Sequence, residues 1–399
     1  MKPELLAPAG NWEMLSAAIN AKADAVYFGI KGLNMRAKAG NFKIDELSKV
    51  IKRCHDNNVK AYLAINTIVF DKELSYIEKI IHKAKDANVD AIICWDMAVI
   101  SIANKYKLPV HLSTQASAAN SLAIEKYKEL GVKRVILARE CSIEHIKNLE
   151  TDVELEVFIH GAMCVAVSGR CFMSQDLYGK SANRGECIQP CRRSYNIEDP
   201  ETGKELELNN YYVMSPKDLC TIDIIDSLID SGIKSFKIEG RNRSPEYVKT
   251  TVESYREAIE SYYNKTLNSE LKRKLKEKLK TVYNRGFSTG FYLGIPINEW
   301  CNTYGSKSTK VKEYIGRVSN YYKKAGVSEI KIETGTLCKG DIILIQGPTT
   351  GSIETQVYSI HLEDKDIEKA FKGDSVGIPT KLARKNDKVY VFKTRNQNA

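Results

Sequence analysis

Short apolar runs alternate with amphipathic segments over the first two thirds of the chain. The runs fall at residues 4–8, 25–29, 60–65, 91–95, 110–113, 134–138, 155–160, 211–214 and 235–239. Between most of them lie stretches with apolar residues at helical spacing, among them 12–21, 44–57, 72–88 and 117–130. Strand, helix, strand at this interval predicts parallel strands covered by helices. Gly131, Gly232 and Asn57-Asn58 stand where helices should end. The runs number one more than a closed eight-stranded barrel takes, so one of them is an extra strand or a loop. The expected fold class is α/β, a TIM-like (β/α)8-type barrel, with an open doubly wound sheet as the alternative. In either fold the chemistry belongs at the C-terminal ends of strands. That rule points to Asn66-Thr67, Gln115, Arg139-Glu140, His160-Gly161, 216–218 and 239–241.

The pattern then changes. Residues 244–263 continue as a helix, and 265–280 are strongly basic with Leu267, Leu271, Leu275 and Leu279 on one stripe. The stripe predicts a helix packed on the barrel under a solvated lysine face; RNA contact is the lesser alternative. From about residue 311 short alternating runs are separated by glycine turns such as Gly340-Asp341, Gly347-Pro348 and Gly373-Asp374. These predict a small all-β barrel. The resulting organisation is a catalytic α/β barrel over 1–264, a basic helix and connection over 265–310, and a small β-barrel domain over 311–395.

Composition narrows the partners. The 399 residues carry a formal net charge of +10, with 43% hydrophobic and 28% charged residues. This is an ordinary globular balance. The charge suits an anionic partner such as RNA, a phosphate-bearing ligand or a carboxylate substrate; a solubilising surface is the other reading. The first ten residues have no apolar signal core, and no apolar run approaches the roughly 20 residues of a membrane span. A cytoplasmic protein without a membrane segment is expected, with its ten cysteines reduced.

Four of those cysteines cluster. Cys164, Cys171, Cys187 and Cys191 read C-x6-C-x15-C-x3-C. Four thiolates complete the coordination of an iron–sulfur cluster. The C-x3-C pair also fits zinc, although C-x6-C is loose for it. Arg170, Arg184, Arg192 and Arg193 lie close by in sequence and would offset a cluster's negative charge. Cys54, Cys94, Cys141, Cys220, Cys301 and Cys338 stand apart and read as packing residues. In Lys237-Ile238-Glu239-Gly240-Arg241, alternation puts Lys237 and Glu239 on one face. If that face is the lumen, they form an acid–base pair or a structural ion-pair layer, and Arg241 can hold a carboxylate or phosphate. His160 is a candidate general acid or base, or a structural histidine. No HExxH, GxSxG or Walker loop occurs.

Residues 156–164 (EVFIHGAMC), 168–171 (SGRC), 183–187 (NRGEC), 190–193 (PCRR), 215–219 (SPKDL) and 237–241 together resemble the signature of the peptidase U32 family. Further matches are 6–10 (LAPAG), 25–29, Asn66-Thr67 and 285–292 (RGFSTGFY), so the resemblance covers residues 3 to about 300. It implies a [4Fe–4S] cluster held by Cys164, Cys171, Cys187 and Cys191, and hydroxylation without molecular oxygen. The spacing is similar to the branch that forms 5-hydroxyuridine at the tRNA wobble position with prephenate as hydroxyl source. Another branch modifies a ribosomal RNA cytidine, and a paired branch hydroxylates ubiquinone precursors. Carried onto this chain, the expectation is a tRNA hydroxylase with His160, Lys237 and Glu239 as catalytic groups. Asn66, Gln115, Arg139 and Arg241 would bind substrate. The rivals are a collagenase-like hydrolase, as the family name says, and a non-enzymatic translation-associated RNA-binding protein. Residues 340–341, 355–360 and 370–378 resemble the β-barrel domain 2 of elongation factor Tu-type translation factors.

Overall fold

The computed structural model describes residues 2–204, 212, 214–297, 299–363 and 365–395. Seven parallel strands pair in chain order: β1 (Glu4–Ala9), β2 (Ala25–Phe28), β3 (Lys60–Ala64), β4 (Ala91–Cys94), β5 (Val110–Leu112), β6 (Val132–Ile136) and β7 (Glu154–Gly161). A short strand, β8 (Asp218–Cys220), comes next. Then β9 (Ser235–Ile238) pairs in parallel with both β1 and β7. That double pairing closes an eight-stranded ring and excludes the open doubly wound sheet. β2, β4 and β9 are buried at every residue, because lumen side chains cover one face and helices the other.

Eight of the apolar runs therefore became ring strands. The ninth, 211–214, includes Tyr211 and Val213, which lie outside the described residues. One expectation is corrected. Asp218 was placed at a C-terminal strand end, but it begins β8, which pairs antiparallel with the last residues of β7 and in parallel with β10 (Phe287–Ser288) outside the ring.

Helices α1 (Trp12–Asn20), α2 (Leu47–His55), α3 (Leu74–Asp86), α4 (Met97–Lys105), α5 (Ser121–Glu129) and α6 (Ile143–Lys147) follow successive strands. Side-chain caps set several of their starts: Asn11, Asp96, Asn120 and Ser142 each accept from a backbone N–H of the first turn. α7 (Met173–Tyr178) lies in the β7–β8 connection, α8 (Ile225–Asp230) precedes β9, and α9 (Pro245–Tyr263) follows it. α10 (Ser269–Lys280) starts at an Asn268 cap and buries Leu275 and Leu279. Its Lys272 and Lys278 pair with Asp226 at 2.8 Å and Glu253 at 3.1 Å. It is the packed helix that its leucine stripe predicts. No described helix is long and apolar enough to cross a membrane.

The remaining strands are β11 (Lys310–Tyr322), β12 (Val327–Ile332), β13 (Thr336–Cys338), β14 (Ile342–Gly347), β15 (Gly351–Gln356), β16 (His361–Leu362), β17 (Lys365–Asp366), β18 (Lys369–Phe371), β19 (Ser375–Pro379) and β20 (Lys388–Thr394). They form an antiparallel sheet in the order β15-β14-β20-β11-β12-β19-β16-β17, plus a β13–β18 ribbon. This β-domain has its own core, including Ile330, Ile343, Val376 and Val389.

The β-domain is docked on α1 and α9. Gly351 has φ +73°, and a Cβ there would stand 2.8 Å from the Ala17 backbone nitrogen, so β15 approaches α1 as closely as only glycine allows. Ser16 Oγ donates to Pro348 O at 2.6 Å, and Asn20 Nδ2 to Thr350 O at 3.1 Å. At the start of α9, buried Glu246 accepts from Gln346 Nε2 at 2.7 Å and pairs with Lys312 Nζ at 2.9 Å. Removing this carboxylate takes the charged acceptor from both donors, leaving them, among the described residues, only Ser352 Oγ at 3.3 Å and Gln346 Oε1 at 3.1 Å. Glu246→Ala should cost the docked state about 1–3 kcal/mol. Limited proteolysis should then cut the 300–310 connection faster than in the wild type. Equal cleavage rates would contradict this account of the interface.

Candidate active site

The lumen carries two charged layers. The lower is balanced: Lys237 Nζ lies 3.0 Å from Glu156 Oε1, Arg134 Nη1 lies 3.3 Å from Glu156 Oε2, and Arg134 also pairs with Glu4 and Glu154. Lys237 therefore belongs to an ion-pair layer with Glu156. It does not pair directly with Glu239, as the acid–base expectation required.

The upper layer is not balanced. Glu239 accepts from Arg36 Nε at 3.1 Å and from the Tyr27 hydroxyl at 3.2 Å. Burial would raise its carboxyl, but Arg36, Arg139 and Arg241 together bring it down to about 2. Arg139 donates Nη1 to Ala162 O at 2.9 Å and lies 4.0 Å over the Phe158 ring. Arg241 is 3% exposed. Burial lowers its guanidinium to about 10, against the fields of Tyr27 and Glu239. Arg139 Nε, Arg241 Nε and Arg241 Nη1 are buried and have no hydrogen-bond partner among the described residues.

These groups line one cavity of about 120 Å³ at the C-terminal mouth of the barrel. Asn66, Gln115, Arg139, Lys237, Glu239 and Arg241 all reach it, as do Cys164, Cys187 and Cys191. Asn66 and Gln115 are already engaged. Asn66 Oδ1 accepts from Met35 N at 3.2 Å, and Gln115 Oε1 accepts from Ser113 Oγ. Their remaining amide donors are what they can offer a ligand.

The four clustered cysteines converge. Burial raises the Cys187 and Cys191 thiols. Cys164 and Cys171 act on Cys187 in the same direction, and Cys164, Cys187 and Cys171 act on Cys191. Among the described residues no three His, Cys, Asp or Glu side chains are close enough to hold one metal ion. A single zinc needs all four sulfurs about 2.3 Å from one point. A four-iron cluster sets each thiolate on a separate iron. The donor set, four soft sulfurs sharing one neighbourhood, is one that either group takes.

The cysteine arms are fixed by arginine struts. Arg192 donates to Ser215 Oγ at 3.1 Å and to Pro216 O and Met163 O, tying the Cys191 arm to the residue before Cys164. Arg184 pairs with Glu73, and Arg170 Nη1 donates to Gln115 O at 3.1 Å. Gly185, at φ +81°, packs so tightly that a Cβ would meet Asn34 O at 2.1 Å. This contact lays the Cys187 arm against the loop that carries Arg36. Arg170 and Arg184 thus serve mainly as anchors. Arg36, in the β2–α2 loop, faces the thiols: its field acts with that of Cys164 and on Cys187. Sequence reasoning missed Arg36 and Tyr27. The available signal was an arginine in a long loop after a strand's C-terminal end.

His160 is a correction. The pairing of β7 with β9 skips a residue between Phe158 and His160, so Ile159 forms a bulge. The bulge turns His160 out of the lumen to pack against Tyr247, Tyr255 and Phe287. Burial, helped by Arg243, lowers it to about 3, so it is neutral. It does not line the cavity.

The profile of peptidase family U32 matches residues 10–302. This chain belongs to that family. It is 44% identical to a Porphyromonas gingivalis protein named collagenase, over 99% of both chains. It is 34% identical to tRNA hydroxylation protein P1 of Bacillus subtilis, over 96% of this chain and 95% of that one. It is also 34% identical to the 23S rRNA 5-hydroxycytidine C2501 synthase of Escherichia coli, over 65% of this chain and 39% of that one.

The depressed Glu239 carboxyl makes stability depend on pH. A group whose folded value lies below its unfolded one, near 4.3, stabilises fully above the unfolded value and loses that contribution as pH falls toward the folded one. At pH 7 Glu239→Gln should cost about 3 kcal/mol, because buried Arg241 and half-buried Arg36 and Arg139 lose their carboxylate. Between about pH 4.5 and pH 2 the wild type should lose the advantage. Urea midpoints for both proteins at pH 7 and pH 3 check this; a constant gap would contradict it.

Proposed function

We propose that this enzyme is an RNA hydroxylase. Its four clustered cysteines hold a [4Fe–4S] cluster, its guanidinium groups receive prephenate as hydroxyl donor, and its target is the wobble uridine of tRNA. The observation that carries the reading is that two guanidinium groups, buried Arg241 and half-buried Arg139, line the cavity that the thiols line and keep buried N–H groups without a partner among the described residues. Buried donors without acceptors are costly, and a carboxylate ligand offsets that cost with charge-assisted hydrogen bonds. The hydroxylation names of the Bacillus subtilis and Escherichia coli relatives supply the reaction class and the RNA substrate.

The cluster, when bound, supplies redox or Lewis-acid chemistry at the barrel mouth. The chain's own residues do the rest. Arg241 and Arg139 bind the donor's carboxylate and orient it against the cysteine wall. Glu239 keeps Arg36 and Tyr27 in place and stays ionised, so it is not a proton donor near neutral pH. Asn66 and Gln115 present amide N–H groups to a base or hydroxyl. Phe158, Tyr27 and Met35 give the cavity the apolar walls that limit water.

The collagenase name supports a hydrolase. Against that reading, no histidine lines the cavity among the described residues, and a carboxylate held at about 2 is a poor base for activating a nucleophile.

The test is mass spectrometry of nucleosides from tRNA and rRNA of a strain lacking the gene, complemented with variants. Wild type should restore a tRNA uridine one oxygen heavier, and Cys164→Ala should not. Arg241→Lys should lower kcat/KM for the donor about 10- to 100-fold, the loss of about 1.5–3 kcal/mol of charged hydrogen bonding. Identical nucleoside profiles with and without the gene would refute RNA hydroxylation.

A further inference from the structure

One edge of the β-domain gathers six cations; Arg384 acts on the Asp387 carboxyl, and no ion pair forms there among the described residues. The β11–β12 turn and the β19–β20 connection are fixed together there. Thr380 N donates to Gly326 O at 2.8 Å, the Tyr321 hydroxyl to Lys381 O at 2.9 Å, and Asn386 N to Val318 O at 2.8 Å. These contacts place Lys323, Lys324, Lys381, Arg384, Lys385 and Lys388 along a single edge, and all six are exposed. None of the six side chains makes an ion pair or hydrogen bond among the described residues. The one acid in these two segments, Asp387, is 3% exposed and accepts from Thr350 Oγ1 and Arg384 N. On the adjoining strand Glu329 accepts from the Tyr322 hydroxyl at 3.3 Å.

Many lysines elsewhere on the surface, in contrast, sit in ion pairs. On α10, Lys272, Lys276, Lys278 and Lys280 each pair with a carboxylate. Lys52, Lys105 and Lys126 do so elsewhere on the barrel. Crowded like charges repel one another, and a repeating polyanion relieves that repulsion while releasing its counterions. Tyr322, half exposed beside Lys323, adds a ring on which a base can stack.

We infer that this edge docks the phosphate backbone of the RNA substrate, at a site separate from the catalytic cavity. The inference rests on the RNA reading above. β11 starts near the barrel mouth, where Lys312 meets Glu246 at the head of α9. Its 13 residues then run to the cationic edge, a contour of at most roughly 40 Å at about 3.3 Å per residue, bent by irregularities between Tyr314 and Gly316 and between Val318 and Asn320. A folded RNA can place one loop in the cavity and its helical body along the β-domain. A short hairpin reaches the cavity alone. The Gly351 and Glu246 contacts hold the two sites at a fixed separation.

The test uses the full-length, metal-loaded protein carrying Lys323→Gln, Lys324→Gln, Lys381→Gln and Lys385→Gln together. The probes are folded full-length tRNA, a short anticodon hairpin and phosphatidylglycerol vesicles. For full-length tRNA the variant should bind about tenfold more weakly or worse, with the slope of log K against log salt shallower by about 3–4. Hairpin affinity and hairpin turnover should match the wild type, which also shows that the variant is folded. Unchanged tRNA affinity and salt slope, in a wild type that binds tRNA, would overturn the docking site and leave the proposed function standing. A wild type that binds neither RNA would overturn both. Vesicle binding lost in the variant with tRNA binding intact would overturn it in favour of an anionic membrane surface.

Discussion

Three guanidinium groups, that of Arg241 buried and those of Arg36 and Arg139 half-buried, surround one carboxylate at the mouth of this barrel, and the site is organised by that imbalance. Arg36, Arg139 and Arg241 all act on Glu239. Glu239 can offset one of them; the rest require anions from elsewhere. Desolvated cations without partners are among the costliest groups a fold can hold. Two sources of negative charge suit the geometry. One is the wall of Cys164, Cys187 and Cys191, whose sulfurs would be thiolates when holding the proposed cluster, and the other is a carboxylate-bearing ligand against Arg139 and Arg241. The layer below, in which Glu156 serves both Lys237 and Arg134, is internally paired and needs no ligand. The contrast separates scaffold from site within the same lumen.

The scaffold delivers this arrangement through loops rather than strands. Arg36 comes from the β2–α2 loop, the cysteines from the β7–β8 connection, and Arg241 from the turn after β9. Arg192 ties the two ends of the β7–β8 connection together, Arg184 anchors that connection to Glu73 ahead of α3, and Gly185 lets it touch the β2–α2 loop. The Tyr27 hydroxyl, held protonated by burial and by Glu239, shares its one proton between Ile238 O and Glu239. The site is thus braced before any ligand enters, which is the condition for electrostatic preorganisation.

Much of this was legible in the chain. Eight apolar runs became the ring because parallel strands buried on both faces must be continuously apolar. The strand-end rule found Asn66, Gln115, Arg139, Glu239 and Arg241, since a barrel gathers such positions at one mouth. It failed at His160, because a bulge at Ile159 reverses the alternation and no local pattern announces a bulge. It failed at Asp218 as well, because β8 lies outside the ring and runs against β7. It could not find Arg36, whose role depends on tertiary contact between two long loops. The pairing of Lys237 with Glu156 instead of Glu239 is a register effect that only the closed barrel defines. The basic helix α10 was readable from its leucine stripe, whereas the unpaired cationic edge of the β-domain depends on contacts between β11 and a connection more than fifty residues away.

The central claim is that the thiol wall holds an iron–sulfur cluster facing the guanidinium groups. Anaerobic purification followed by iron, sulfide and zinc analysis tests it most directly. The account predicts a brown protein with about four iron and four sulfide per chain, both lost in Cys164→Ala. A colourless protein, or one that carries a single zinc and no sulfide, would contradict it.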